Sequence, residues 1–132
     1  MLPRLLLDTH IVVGWLTNPK KLSREQIRML EAAVRRAEPV ALSAMSVLEI
    51  AVLGSAGKLG IKVPLDELFE DLEAPPFQIL QVTREVAAEV ALLGSLRDPA
   101  DRAIVATARV ERLRLVTSDQ RIIETKLVPV VA

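Results

Sequence analysis

Cysteine is absent from the 132 residues, which excludes disulfides, thiolate metal sites and cysteine nucleophiles together. Tyrosine is absent as well, and two Phe and one Trp are the only aromatic residues. Such a set cannot build the stacking surface on which single-strand binding modules hold bases, which argues against a passive RNA binder. Excess charge is also missing. Seventeen basic and seventeen acidic side chains give a formal net charge of zero, so any contact with nucleic acid must be local. No run reaches the roughly 20 apolar residues that a bilayer needs. The most apolar stretch, Val40 to Leu53, is interrupted by Ser43, Ser46 and Glu49. The opening Met1-Leu-Pro-Arg leads into an apolar run that stops at Asp8, unlike a secretory signal. A cytoplasmic protein without a membrane segment is expected.

What is present is apolar bulk. Hydrophobic residues make up 51% and mean hydropathy is +0.34, which suits a mostly buried parallel sheet or a permanent partner. The length fits one domain spanning residues 1–132. Arg4 to Leu7 reads as a buried strand, followed by a helical stretch through Leu16 that Asn18-Pro19 breaks. Ser23 and Gln26 form a capping box for a second helix that ends near Glu38-Pro39. Val40 to Ser43 reads as strand two. Ser46 and Glu49 repeat the capping-box spacing ahead of a third helix, with Gly54 and Gly57 as stop signals. Leu65 to Glu73 reads as a short helix and Phe77 to Val82 as a strand, after which Thr83 opens a helix closed by Gly94. Asp98-Pro99 starts another helix. Leu113 to Thr117, a short helix from Gln120, and Leu127 to Val131 complete a β-α alternation. It implies an α/β domain, a central parallel sheet of about five strands flanked by helices on both faces.

Four acids fall at one predicted edge of that sheet. Asp8 and Asp119 follow strands, while Glu49 and Asp101 are each expected in the first turn of a helix that leaves the same edge. Convergent carboxylates repel one another unless a cation is present, and oxygen-only ligands favour Mg2+ or Mn2+ over zinc. Metal-assisted phosphodiester hydrolysis is the chemistry such a set supports. Each residue also has a plainer role open to it. Glu49 can complete a capping box, Asp101 can answer a helix dipole, and Asp119 can cap a turn. Their joint placement carries the inference. Arg97, Arg102 and Arg121 stand near these acids, either to hold phosphates or to pair with neighbours; for Arg102 the neighbours are Asp98 and Asp101. Trp15, Leu16 and Phe69 are scattered and read as core or partner contacts.

Leu5-Leu-Leu-Asp-Thr-His10, Ser46-Val-Leu-Glu-Ile50, Arg97-Asp-Pro-Ala-Asp-Arg102 and Leu115-Val-Thr-Ser-Asp119 occur in an order that resembles the PIN-domain nucleases. The resemblance covers essentially the whole chain and is strongest to the VapC-like toxins of bacterial and archaeal toxin-antitoxin pairs. It implies that Asp8, Glu49, Asp101 and Asp119 are the acidic metal site, that Thr117 orients Asp8, and that Asp98 is an accessory acid. RNA as substrate, a cognate small antitoxin and a homodimer are implied as partners. One departure is Leu96, where many relatives place a histidine. His10, the sole histidine, reads as structural or as support for the site, since imidazole suits an oxygen-ligand site poorly. Two other readings stay open: a PIN-like binding or scaffold module without turnover, and an acidic-site phosphatase using Asp8 as nucleophile. The latter's motif wants an Asp where His10 stands.

Overall fold

A computed structural model describes residues 1–60 and 62–132. Five short strands, β1 (Leu5–Leu7), β2 (Val40–Ser43), β3 (Phe77–Leu80), β4 (Arg114–Val116) and β5 (Val130–Val131), form one parallel sheet in the order β3-β2-β1-β4-β5. Parallel strands covered on both faces must be apolar at every position, not at alternate ones. That is why Leu5, Leu6 and Leu7 are all buried.

Period-two alternation assigns successive side chains to opposite cores. Leu5, Leu7, Val40, Leu42 and Val116 enter a core with Ile11, Leu30, Ile50 and Leu68. These belong to α1 (Thr9–Thr17), α2 (Arg24–Arg35), α3 (Ala44–Ser55) and α4 (Leu65–Glu73). Leu6, Ala41 and Leu115 point the other way, toward Val86, Ile104, Val105 and Ile122. Those come from α5 (Arg84–Val90), α6 (Pro99–Glu111) and α7 (Gln120–Thr125). The expected parallel sheet with helices on both faces is what forms.

The chain runs outward from β1 to β2 and β3, then returns to the far side of β1 for β4 and β5. The order therefore reverses between β1 and β4, and open α/β sheets place ligand crevices at the carboxyl ends of strands beside such a reversal.

Several boundaries differ from those read in the sequence. The third helix begins at Ala44, because Ser43 at the end of β2 is extended and its Oγ accepts from the Met45 N–H at 3.0 Å. Ser46 is therefore no cap, and Glu49 lies in the second turn, beyond reach of the helix-end dipole. The second helix stops at Arg35, ahead of Ala37 with φ 53°. The last strand shrinks to Val130–Val131: Lys126 ends α7 in a left-handed turn, and Pro129 has no N–H to offer a ladder. A one-turn 3-10 helix, Pro19–Lys21, follows the Asn18-Pro19 break. No helix among the described residues is long and apolar enough to cross a membrane.

Candidate active site

Asp8 leaves β1 and caps α1 in the same step. Its backbone N–H donates to the Val116 carbonyl at 3.0 Å, fixing it against β4, and its Oδ1 accepts from the Thr9 N–H at 2.8 Å. Its Oδ2 accepts from the Thr117 hydroxyl at 2.7 Å. Only 4% of the residue is exposed, so this carboxylate survives burial because both oxygens are occupied by donors. Thr117 serves two acids. Its Oγ1 also accepts from the Asp119 N–H at 3.1 Å, which ties the turn after β4 to Asp8.

His10 closes the same loop from outside. Its Nε2 accepts from the Ser118 N–H at 3.1 Å, and its Nδ1 stands 3.4 Å from Asp8 Oδ2. Both nitrogens are thereby used, and the structural reading of this residue fits.

Asp98 caps α6, its Oδ1 accepting from the N–H groups of Ala100 and Asp101 at 2.8 and 3.3 Å. The cap sets Asp101 on the third residue of the helix, where its side chain is 15% exposed. Burial first, and then the charges of Asp98, Asp8 and Asp119, push its pKa from 3.8 up to about 6, with Arg121 opposing. Asp119 caps α7, and its pKa is lowered, chiefly by the hydrogen-bonded Arg121 guanidinium. Arg121 forks onto Asp119, with Nε at 3.2 Å from Oδ1 and Nη2 at 2.9 Å from Oδ2, and its Nη2 stands 3.7 Å from Asp101 Oδ2. Of the three arginines singled out above, this one pairs with acids. Arg102 instead donates Nε to the Leu96 carbonyl, and among the described residues it forms no ion pair with Asp98 or Asp101. Arg97 is exposed.

Glu49 reaches the site from α3. The Thr9 hydroxyl donates to Ser46 Oγ at 2.9 Å, and Ser46 lies one turn before Glu49 on the same helix face. Asp8, Glu49, Asp98, Asp101 and Asp119 all line one crevice of about 1050 Å³. In the side-chain positions observed, no three His, Asp or Glu side chains among the described residues are gathered closely enough to hold an ion. The donor set nonetheless suits a hard cation. It is all oxygen, and an added positive charge would offset the burial and the mutual repulsion that together raise Asp101.

Some contributors escape a reading of motifs. Gln26, fully buried, donates Nε2 to the Thr117 and Val131 carbonyls, both at 3.3 Å, and to Ser118 Oγ at 3.0 Å, while its Oε1 accepts from the Ser23 N–H at 2.9 Å. The expected capping box is present, but its Gln also binds the ends of β4 and β5. Lys21, Lys58 and Lys62 line the crevice too. Lys21 ends the one-turn 3-10 helix, Lys58 and Lys62 lie between α3 and α4, and none belongs to a motif. Trp15 and Phe77 meet edge to face at 5.6 Å and, with Leu16 and Phe69, pack against the core as read.

The PIN domain family profile matches residues 5–127. The chain belongs to the PIN-domain family. It is 34% identical over 119 residues to Ribonuclease VapC22 of Mycobacterium tuberculosis, covering 89% of this chain and 88% of that one. The crystal structure of FitAcB from Neisseria gonorrhoeae superposes with a TM-score of 0.65 at 28% identity, covering 97% of this chain and 96% of the other. A toxin-antitoxin complex from Klebsiella pneumoniae gives 0.67 at 22% identity with the same coverages, a likeness of fold. PIN membership agrees with the ordered acidic motifs and with the single parallel-sheet domain observed.

Proposed function

We propose that residues 1–132 form a single PIN-like nuclease domain that hydrolyses RNA phosphodiester bonds, and that it is the toxin of a toxin-antitoxin pair. Its catalytic and metal-holding residues in this reading are Asp8, Glu49, Asp101 and Asp119, supported by Thr117 and Asp98, with Mg2+ or Mn2+ as cofactor. One observation carries it: all five acids line the crevice at the sheet reversal. The 34% identical relative that spans most of the chain is a ribonuclease, which supports RNA as substrate.

When bound, the ion supplies Lewis-acid polarisation of the phosphate and of water. The protein supplies the rest. Thr117 and Thr9 hold the Asp8 carboxylate in one orientation, and Thr117 fixes the start of α7, so Asp119 stays aligned with Asp8. Lys21, Lys58 and Lys62 present positive charge along the same crevice, suited to the flanking phosphates. Without a stacking surface, grip on the strand comes from phosphate contacts and not from base stacking.

Purified protein is expected to cut structured RNA with Mg2+ or Mn2+ and to stop in EDTA. Equal cleavage by Asp8→Asn protein would refute the mechanism. RNA binding without cleavage would favour the scaffold reading, and acid-labile phosphate on Asp8 would favour the phosphatase.

A small antitoxin and a second copy of the chain are the partners this reading adds, in the cytoplasm. Leu48 and Val52, one turn apart on α3, are 56% and 58% exposed, an apolar stripe of the kind that a partner covers. Mass measurement of the protein expressed alone tests the homodimer, and a search for a short adjacent reading frame whose product co-purifies with it tests the antitoxin.

A further inference from the structure

The geometry points to Arg121 as a built-in competitor for the metal: its guanidinium bridges Asp119 and Asp101 and must leave them before an ion can be held there. The inference rests on the metal-dependent reading and goes beyond it. Arg121 lies two residues after Asp119, on the first turn of α7, so the guanidinium is tethered beside the acids. It forks onto both Asp119 oxygens, at 3.2 and 2.9 Å, and stands 3.7 Å from Asp101 Oδ2. A fork that takes both oxygens of one carboxylate leaves fewer lone pairs facing an ion.

The hold is made to be broken. The Arg121 side chain is 75% exposed, whereas those of Asp101 and Asp119 are 15% and 19% exposed, so solvent receives the guanidinium when a divalent ion displaces it. Such an exposed pair is weak enough for metal to win, yet it neutralises the acids while metal is scarce.

Mn2+ titration without RNA, following the free ion by electron paramagnetic resonance, reads this independently of cleavage. Arg121→Gln is expected to bind Mn2+ about threefold to fivefold more tightly than wild type, the range that an exposed ion pair can withhold. Arg121→Lys keeps the charge but cannot fork, and should fall between the two. Lys58→Gln removes a charge from the same crevice without touching the acids, and should change affinity by less than the Arg121→Lys step. In EDTA the Arg121→Gln protein should melt below wild type, yet gain more from added Mn2+. If Arg121→Gln does not fold, Arg121→Lys carries the comparison. Affinity of the folded variant equal to or weaker than wild type overturns the proposal, and so does an equal gain in Lys58→Gln, which would make the general field the cause. Failure of wild type itself to bind Mn2+ removes the metal-dependent reading and this inference together, whereas equal binding by all variants removes the inference alone.

Discussion

Replacing Asp101 by Asn should stabilise the metal-free protein. Asp101 carries a folded pKa of about 6 against 3.8 for a free carboxyl, because burial and three neighbouring acids disfavour its charge. Taken in full, that difference corresponds to about 3 kcal/mol of penalty on the ionised form. Solvent at the crevice mouth screens it, and the α6 N-terminus favours a carboxylate at this position, so about 1 kcal/mol is a fair net value. For a domain of this size it corresponds to about 3–4 °C in melting temperature.

The sign follows from proton binding. Between 3.8 and about 6 the native state holds more protons on Asp101 than the unfolded chain does, so stability falls as pH rises through that window. The asparagine variant lacks this loss. Its advantage should be absent below the window and complete above it, when melting is followed in EDTA from acid to slightly alkaline pH. Adding Mn2+ should then reverse the order, since only wild type has the full ligand set to be stabilised. An Asp101→Asn protein that melts at or below wild type above neutrality, or that keeps a constant gap across the pH range, refutes the electrostatic account.

Thr117→Val removes the donor to Asp8 and leaves the Asp119 N–H unpaired. Cleavage should fall by about 10- to 100-fold while Thr117→Ser keeps most of it, as initial rates will show. Gln26→Leu strips the side-chain partners from three buried or partly buried acceptors and breaks the capping box; chemical denaturation should show a loss of about 1–3 kcal/mol. Charge-removing changes at Lys21, Lys58 and Lys62, made in an Asp8→Asn background, should weaken RNA binding alike across sequences. Each should flatten the salt dependence of affinity by about 0.7 in log-log slope; unchanged slopes would remove these lysines from the phosphate path.

The ends of the site were readable because strand and acid adjoin in the sequence. Asp8 and Asp119 terminate or closely follow short apolar runs, and parallel order places both at one edge without further information. Glu49 falls on the expected helix but in its second turn and not the first. Ser46 and Glu49 copy the spacing of a capping box, yet Ser43, at the end of β2, caps first, and the Ser46 hydroxyl is engaged by Thr9, a partner 37 residues away. A local pattern cannot reveal that competition, since the winner is decided by where the strand stops. Arg102 failed likewise: adjacency suggested an ion pair, but helix geometry turns its guanidinium back to the Leu96 carbonyl. Lys21, Lys58 and Lys62 have no periodicity to mark them, and only folding assembles them around one crevice.

The way the acids are held suggests why this site needs more than its acids. Asp8 has both oxygens committed to donors from Thr9 and Thr117, while the Glu49 side chain has no hydrogen bond among the described residues. Asp119 is fixed at its backbone by Thr117 and at its carboxylate by the exposed Arg121 guanidinium. The crevice thus joins one anchored carboxylate, one without a side-chain hydrogen bond among the described residues and one paired with an arginine. In the metal-dependent reading proposed above, an ion with strict octahedral demands would use such a mixture, an anchored ligand defining its position while ligands without fixed partners adjust to the required angles. On this argument Glu49→Asp, which shortens the side chain, should impair metal binding more than its conservative chemistry suggests, whereas the loss at Asp8→Glu should come from displaced donors and appear in folding stability as well. Parallel Mn2+ titrations and melts of the two variants separate these cases; a stability loss confined to the Glu49 variant would refute the division of roles.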